Sequence, residues 1–258
     1  IVDVAKQITD PDLLAGLQPG KLHDNVTAIR GDMLRQRATL ADSKLFEPRP
    51  WIRIGCANTG GLPQLWAKAL MREYPDRVVG YCYLNPHHGE FCLKELARCV
   101  EAGMRGIKLW VASLADDPEV FPIVERAIEL DVPLLQHAWK KTTGNMKHES
   151  EPRHVAELAR RYPQARIIMA HAGGMWEYGI KAVRRYPNVT VDLSGGNPTD
   201  GLLETALREL GPQRIAFGSD ADCRSFGSQL AKVDAARLLP SVRQAILRDN
   251  ARRLLRIE

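Results

Sequence analysis

The feature that most constrains the fold is a phrase that the chain uses three times. It occurs as "REYPDRVVGYCYL" (72–84), "RRYPQARIIMAH" (160–171) and "RRYPNVTVDLSG" (184–195). Each reads as the end of a helix, Tyr-Pro, then a strand. Proline cannot continue a helix and pushes the residue before it out of helical geometry, so the helix stops there. The apolar run that follows is too short for a typical helix and rich in β-branched residues.

The same alternation predicts eight strands: 1–4, 51–56, 78–84, 106–110, 133–138, 166–172, 189–194 and 214–220. From the second onward they begin every 23 to 33 residues, the size of a βα unit. Helical faces lie between them. Val155, Leu158, Ala159 and Tyr162 recur at i, i+3, i+4, i+7, as do Leu203, Ala206, Leu207 and Leu210. Val120, Val124, Ala127 and Ile128 form another stripe, although Pro122 requires that helix to begin close to it. Cys92, Leu96, Cys99 and Val100 form a fourth, and a last helix spans 241–255. Near-continuous apolar strands separated by helices imply a parallel sheet covered by helices. A single (β/α)8 TIM barrel over 1–258 is the economical architecture, an α/β fold distorted near the first strand. An open doubly wound sheet is the alternative, but no GxGxxG follows the first strand. Residues 10–50 are polar, rich in turn formers and longer than a crossover needs, which reads as a lid or an oligomer contact.

Composition excludes several classes. The formal net charge is +5, but Arg160-Arg161, Arg184-Arg185 and Arg252-Arg253 fall at predicted helix ends, where cations complement the macrodipole. No basic stripe with interleaved aromatics suggests nucleic acid. No apolar run is long enough to span a bilayer and no signal peptide opens the sequence. Five cysteines without a CxxC pair read as buried thiols in a reducing cytoplasm.

Active sites of such barrels lie at the C-terminal ends of the strands. There the sequence puts Lys108 and Trp110, then His137, Trp139 and Lys140, then His171 and Trp176, then Asp192 and Ser194, and finally Asp220 with Arg224 beyond. Two histidines and an aspartate at the ends of three strands form a candidate site. His nitrogen and carboxylate oxygen suit a divalent metal with one position open to water, whose pKa the metal lowers into the neutral range. A neighbouring carboxylate accepts the proton. His23, His148 and His154 read as solvated, His87 and His88 as ambiguous, and Asp192 as a cap for loop backbone.

The order and spacing of "YPDRVVGYCYLNP", "GMRGIKLW", "PLLQHAW", "IIMAHAGG", "NVTVDLSG", "RIAFGSDAD" and "NARRLL" resemble the amidohydrolase superfamily, specifically its amidohydrolase-related (amidohydrolase 2) group of TIM-barrel hydrolases and decarboxylases. The resemblance implies His137 as a metal ligand, His171 as ligand or catalytic group, and Asp220 as the aspartate that binds metal and shuttles the proton. Zinc is the metal expected. The first strand departs from the family's D-x-H-x-H. "IVDVAKQ" keeps Asp3 but has Ala5 and Gln7 where histidines bind metal. Three readings stay open: other groups (His87, His88 or Glu149) hold the metal; the protein is a metal-independent lactonase or decarboxylase; or it is an inactive barrel that binds a ligand or partner. The expected activity is a hydrolase using Asp220 and His171 on water. Its substrate is a small cyclic or aromatic carboxylate, lactone, amide or ester, bound by Lys108, Trp110, Trp139, Lys140, Trp176 and Arg224. A homo-oligomer is also expected.

Overall fold

A computed structural model describes residues 62–221 and 224–257, all within the compact unit Arg53–Glu258. The expected strands 1–4 and 51–56 and the 10–50 segment lie outside the described residues, as do Asp3, Ala5, Gln7 and His23.

The other six expected strands all form, as β1 (Cys82–Tyr83), β2 (Ile107–Leu109), β3 (Leu134–Gln136), β4 (Ile167–Met169), β5 (Val189–Asp192) and β6 (Ile215–Ala216). They pair in sequence order, β1-β2-β3-β4-β5-β6, and every pair is parallel. A doubly wound sheet reverses its strand order at a switch point. No reversal occurs here, so the six strands are a continuous arc of a (β/α)8 barrel. The paired segments are shorter than the apolar runs. Val78, Tyr81 and Leu84 are buried yet lie outside the two paired residues of β1.

The crossovers are α1 (Leu62–Glu73), α2 (Glu90–Glu101), α3 (Phe121–Glu129), α4 (Pro152–Arg161), α5 (Trp176–Val183), α6 (Leu202–Leu210) and α7 (Phe226–Asp234). Pro122 falls in the first turn of α3, where its missing N–H costs nothing. Arg160 and Arg161 occupy the last turn of α4, as the macrodipole favours. His154 departs from the solvated expectation. It is buried at the third position of α4, where its Nδ1 accepts the Glu151 N–H at 2.9 Å in a reciprocal capping box. The expected last helix forms without a break, as α8 (Pro240–Gln244), one π turn (Ala245–Asp249) and α9 (Asn250–Leu255). Within the wider turn the Ile246 carbonyl accepts the Phe217 N–H at 2.9 Å, fastening the helix to the end of β6.

Alternation along the strands makes two apolar layers. Ile107, Leu134, Ile167 and Val189 join the helices in the main core, while Leu135 and Ile168 face the other way, with Tyr81, Leu254 and Leu255. Register puts Lys108 opposite Leu135, so this lysine shares the second face. Cys82, Cys92 and Cys99 are buried, as expected of core thiols. Asn250 is a buried tie, donating from Nδ2 to the carbonyls of Pro212 and Ile215, both at 2.7 Å. Asn250→Ala is expected to cost about 2 kcal/mol, because two buried carbonyls lose their partner. Urea denaturation measures it.

Candidate functional site

The site is built where β3, β4 and β5 end. His137 follows β3 directly, is 7% exposed, and lies with its ring centroid 5.0 Å from that of His171. Trp139 stacks near-parallel to His137 at 6.5 Å and tilts against His171 at 5.1 Å. Trp110, just past β2, meets His137 edge-on at 6.5 Å. Two loops are laced together to make this possible. Lys140 N–H donates to Gly173 O at 2.8 Å, and Met175 N–H donates back to Lys140 O at 3.2 Å. This bridge extends the β3–β4 pairing beyond the strands and brings Trp139 to His171.

Each imidazole faces an acceptor that favours one proton position. His137 Nε2 lies 3.1 Å from Glu149 Oε1. A carboxylate only accepts, so Nε2 carries the proton. Glu149 is 3% exposed, and Lys141 donates to its other oxygen at 2.5 Å, as does Met146 N–H at 3.2 Å. Burial raises the Glu149 pKa, but the Lys141, His137 and Met146 bonds outweigh it and hold the carboxyl below its ordinary range. His171 Nδ1 lies 3.2 Å from Ser194 O, also an acceptor only, and 3.0 Å from Ser194 Oγ. The carbonyl favours a proton on Nδ1, and the hydroxyl, able to donate or accept, can accept from it, which leaves Nε2 as the basic nitrogen. Burial, with Lys108 as a further cause, pushes His137 down to about 4. Burial, then Lys108 and His137 against the opposing pull of Asp192, takes His171 down to about 3. Both rings are neutral at pH 7.

Part of the chain's backbone strain falls at strand ends that carry candidate site residues. His171 and Ala172 are left-handed, with φ of 64° and 47°, and Asp220 has φ of 49°. Side-chain-bearing residues adopt this region at a cost of about 1–3 kcal/mol and are held there by their surroundings. For His171 the holder is Asp192, whose Oδ1 accepts the N–H of His171 at 3.3 Å and of Ser194 at 2.6 Å. Asp192 thus caps loop backbone, as its position suggested.

Other expected residues are placed as follows. Lys108 acts electrostatically on both imidazoles. Lys140 pairs with Glu151 at 3.0 Å and, with Trp139, Lys141 and Met175, lines an open cleft of about 280 Å³. Trp176 begins α5 and packs against the main core. Asp220 and Arg224 follow β6, their charges felt by Lys232. His87 is engaged elsewhere, by Glu119 at 2.8 Å and Ala112 O at 2.9 Å. Sequence reasoning missed Lys232 and Gln229 on α7. Nothing local marks them, since their contacts reach more than thirty residues back along the chain.

A protein-held divalent ion needs about four or more donors at bonding distance. Among the described residues no three His, Cys, Asp or Glu side chains converge. His137 donates to Glu149, and Glu149 is neutralised by Lys141. The described donors therefore do not fit a complete metal cage.

Comparison with known proteins gives the following. A family model described as amidohydrolase matches residues 51–257. The 2-amino-3-carboxymuconate-6-semialdehyde decarboxylase of Dictyostelium discoideum is 26% identical over 144 residues, 48% of this chain and 40% of that protein. The chain thus matches less than half the length of this curated relative. A TIM-barrel protein from Bordetella bronchiseptica superposes with a TM-score of 0.67 at 16% identity, covering 79% of this chain and 76% of that one. The 5-carboxyvanillate decarboxylase of Novosphingobium aromaticivorans, solved with manganese and 4-hydroxy-3-methoxy-5-nitrobenzoic acid, gives 0.62 at 18% identity, covering 75% and 68%. At these identities the solved structures share the fold.

Proposed function

The chain belongs to the amidohydrolase family, and from that membership we propose that it is a decarboxylase of a small aromatic or conjugated carboxylic acid. The observation that carries this reading is the pair of neutral imidazoles, 5.0 Å apart, set between Trp110 and Trp139 with the Lys108 charge acting on both. Decarboxylase relatives support it over hydrolysis.

The chemistry follows from the residues. Trp139 and Trp110 offer flat apolar walls to a conjugated ring or diene. The Lys108 ammonium anchors the carboxylate. His171, with Nδ1 tied to Ser194, offers its Nε2 lone pair to a hydroxyl conjugated with the carboxylated carbon. Drawing that proton pushes electron density onto the carbon. Asp220, protonated from solvent, delivers that proton there, a C–H bond forms, and the C–C bond breaks as CO2 leaves, its electron pair returning to the conjugated system while His171 gives its proton back to the hydroxyl oxygen. The net change is RCO2− plus H+ giving RH plus CO2. Arg224 and Lys140 are assigned to the rim of the same pocket. No step is routed through a metal. The zinc expected from the family pattern requires ligands beyond the described donor set.

The test is CO2 release from hydroxylated benzoates and carboxylated conjugated aldehydes, beside a panel of lactones and amides. CO2 is expected from the first set, with Asp220→Asn lowering kcat by about 10²–10⁴-fold while the protein stays folded. Lactone or amide turnover without CO2 would restore the hydrolase reading. An Asp220→Asn variant at the parental rate would remove Asp220 from the mechanism.

A further inference from the structure

We propose that Lys232, assisted by Gln229, is a positioning residue that fixes the tautomer of His171 by clamping the turn after β5. The argument begins with an oddity of burial. Lysine is almost never fully buried unless paired, yet Lys232 is 9% exposed. Its ammonium is occupied by acceptors rather than by a salt-bridging carboxylate. It donates to Leu193 O at 2.8 Å, to Gly195 O, and to Gln229 Oε1 at 2.8 Å. Gln229 in turn donates from Nε2 to Gly196 O at 3.1 Å. Two side chains of α7 thus hold three carbonyls of the four-residue stretch 193–196.

The remaining carbonyl of that stretch is Ser194 O, the one that faces His171 Nδ1. Adjacent peptide groups are coupled through φ and ψ. Pinning the Leu193 and Gly195 carbonyls therefore fixes the direction of the carbonyl between them. A carbonyl cannot donate, so the Ser194 carbonyl favours N–H on the nitrogen that faces it, and the Ser194 hydroxyl 3.0 Å from the same nitrogen, able to donate or accept, follows the carbonyl's choice. That leaves the basic nitrogen, Nε2, for chemistry. The ring itself is neutral, so the question is which nitrogen holds its proton. Asp192 and Asp220 favour the Lys232 ammonium, Arg224 opposes it, and burial lowers its pKa to about 8. At pH 7 the charged clamp is the main form.

The tautomer claim rests on geometry alone, whereas its kinetic consequence rests on the decarboxylase reading. The experiment separates them. Nitrogen-15 NMR of histidine-labelled full-length protein at pH 7 reports protonated and bare ring nitrogens directly, with His171→Asn supplying the assignment. The parent is expected to show His171 as the Nδ1–H form. Lys232→Met, folded by circular dichroism, should show about a fivefold fall in the ratio of Nδ1–H to Nε2–H forms, the loss of roughly one neutral hydrogen bond's preference. Lys232→Arg should restore much of that ratio. Gln229→Leu leaves Lys232 in place and should shift the ratio in the same direction by less. It decides the matter should Lys232→Met fail to fold. In turnover, Lys232→Met should lower kcat and change KM less than threefold.

A parent Nε2–H tautomer would overturn the proposal. So would a folded Lys232→Met with the parental ratio, or, if that variant does not fold, a Gln229→Leu protein with the parental ratio. Tautomer shifts without turnover in the parent would sink the decarboxylase reading and leave the clamp standing.

Discussion

Gly195→Ala is expected to lower kcat about 100-fold while the barrel stays folded. Gly195 has φ of +69°, and a Cβ built on it would lie 2.5 Å from His171 Nδ1 and 2.8 Å from Trp139 Cζ3. Real carbon contacts are not that short, so the imidazole, the indole or the turn must move. The displacement falls on the hydrogen bond that sets the His171 tautomer. Misplacing a reacting group by about 1 Å can cost about 10² in rate. Stability should fall by about 1–3 kcal/mol from backbone strain and overpacking. Gly196→Ala separates the two causes. Its φ is +57°, but its Cβ would meet nothing within 4 Å. It should cost only the left-handed strain, about 1–2 kcal/mol, and leave kcat within a few-fold of the parent. Steady-state kinetics beside urea denaturation of both variants is the check. Equal kcat for the two would show that the ring contact is unimportant.

Stability is expected to fall by about 2 kcal/mol per pH unit as the pH drops from 6 to 5. The sign follows from His137 and His171, and the buried His154, whose pKa burial also lowers, adds in the same direction. The folded pKa values of His137 and His171, about 4 and about 3, lie below the ordinary 6.5. Between pH 6.5 and those values the unfolded chain binds protons that the folded chain does not. Their contribution is therefore complete above about pH 6.5 and is lost as the pH falls toward 4 and then 3. Glu149 and Glu95, both held below the ordinary carboxylate range, add loss of the same sign, but only below about pH 4.5. The interval from pH 6 to 5 isolates the histidines. Urea unfolding at pH 7, 6 and 5 gives the slope, and His137→Gln should reduce it by about a third to a half. A flat profile across this interval would show that the rings are charged or solvated in the folded protein.

The strand-helix rhythm was legible because it is a local property. Tyr-Pro breaks at 74–75, 162–163 and 186–187 end helices whatever surrounds them, and the runs that follow are too short and too β-branched to be anything but buried strands. The convergence of His137 and His171 was legible for a related reason. Parallel strands joined by helices all present the same end to one face, so residues at strand ends meet there. His154 was misjudged because a histidine one helical turn after proline and glutamate reads as surface. Its burial comes from a capping box that has to close before it exists. The last helix was legible but its π turn was not, because periodicity does not show where a neighbouring strand needs a carbonyl.

By itself, the sequence determined the order of elements, the parallel arc, the family, and which strand ends carry imidazole, indole and carboxylate. These depend on residue spacing and backbone preference, which act over a few positions. The tertiary structure alone decided which acceptor each imidazole faces, that Glu149 is neutralised by Lys141, and that a lysine on α7 is spent on carbonyls of the β5 turn. Those outcomes depend on what accepts a proton across the barrel mouth, over separations of up to 39 residues. Burial then fixes them, since a polar group removed from water must take the partner that the fold supplies.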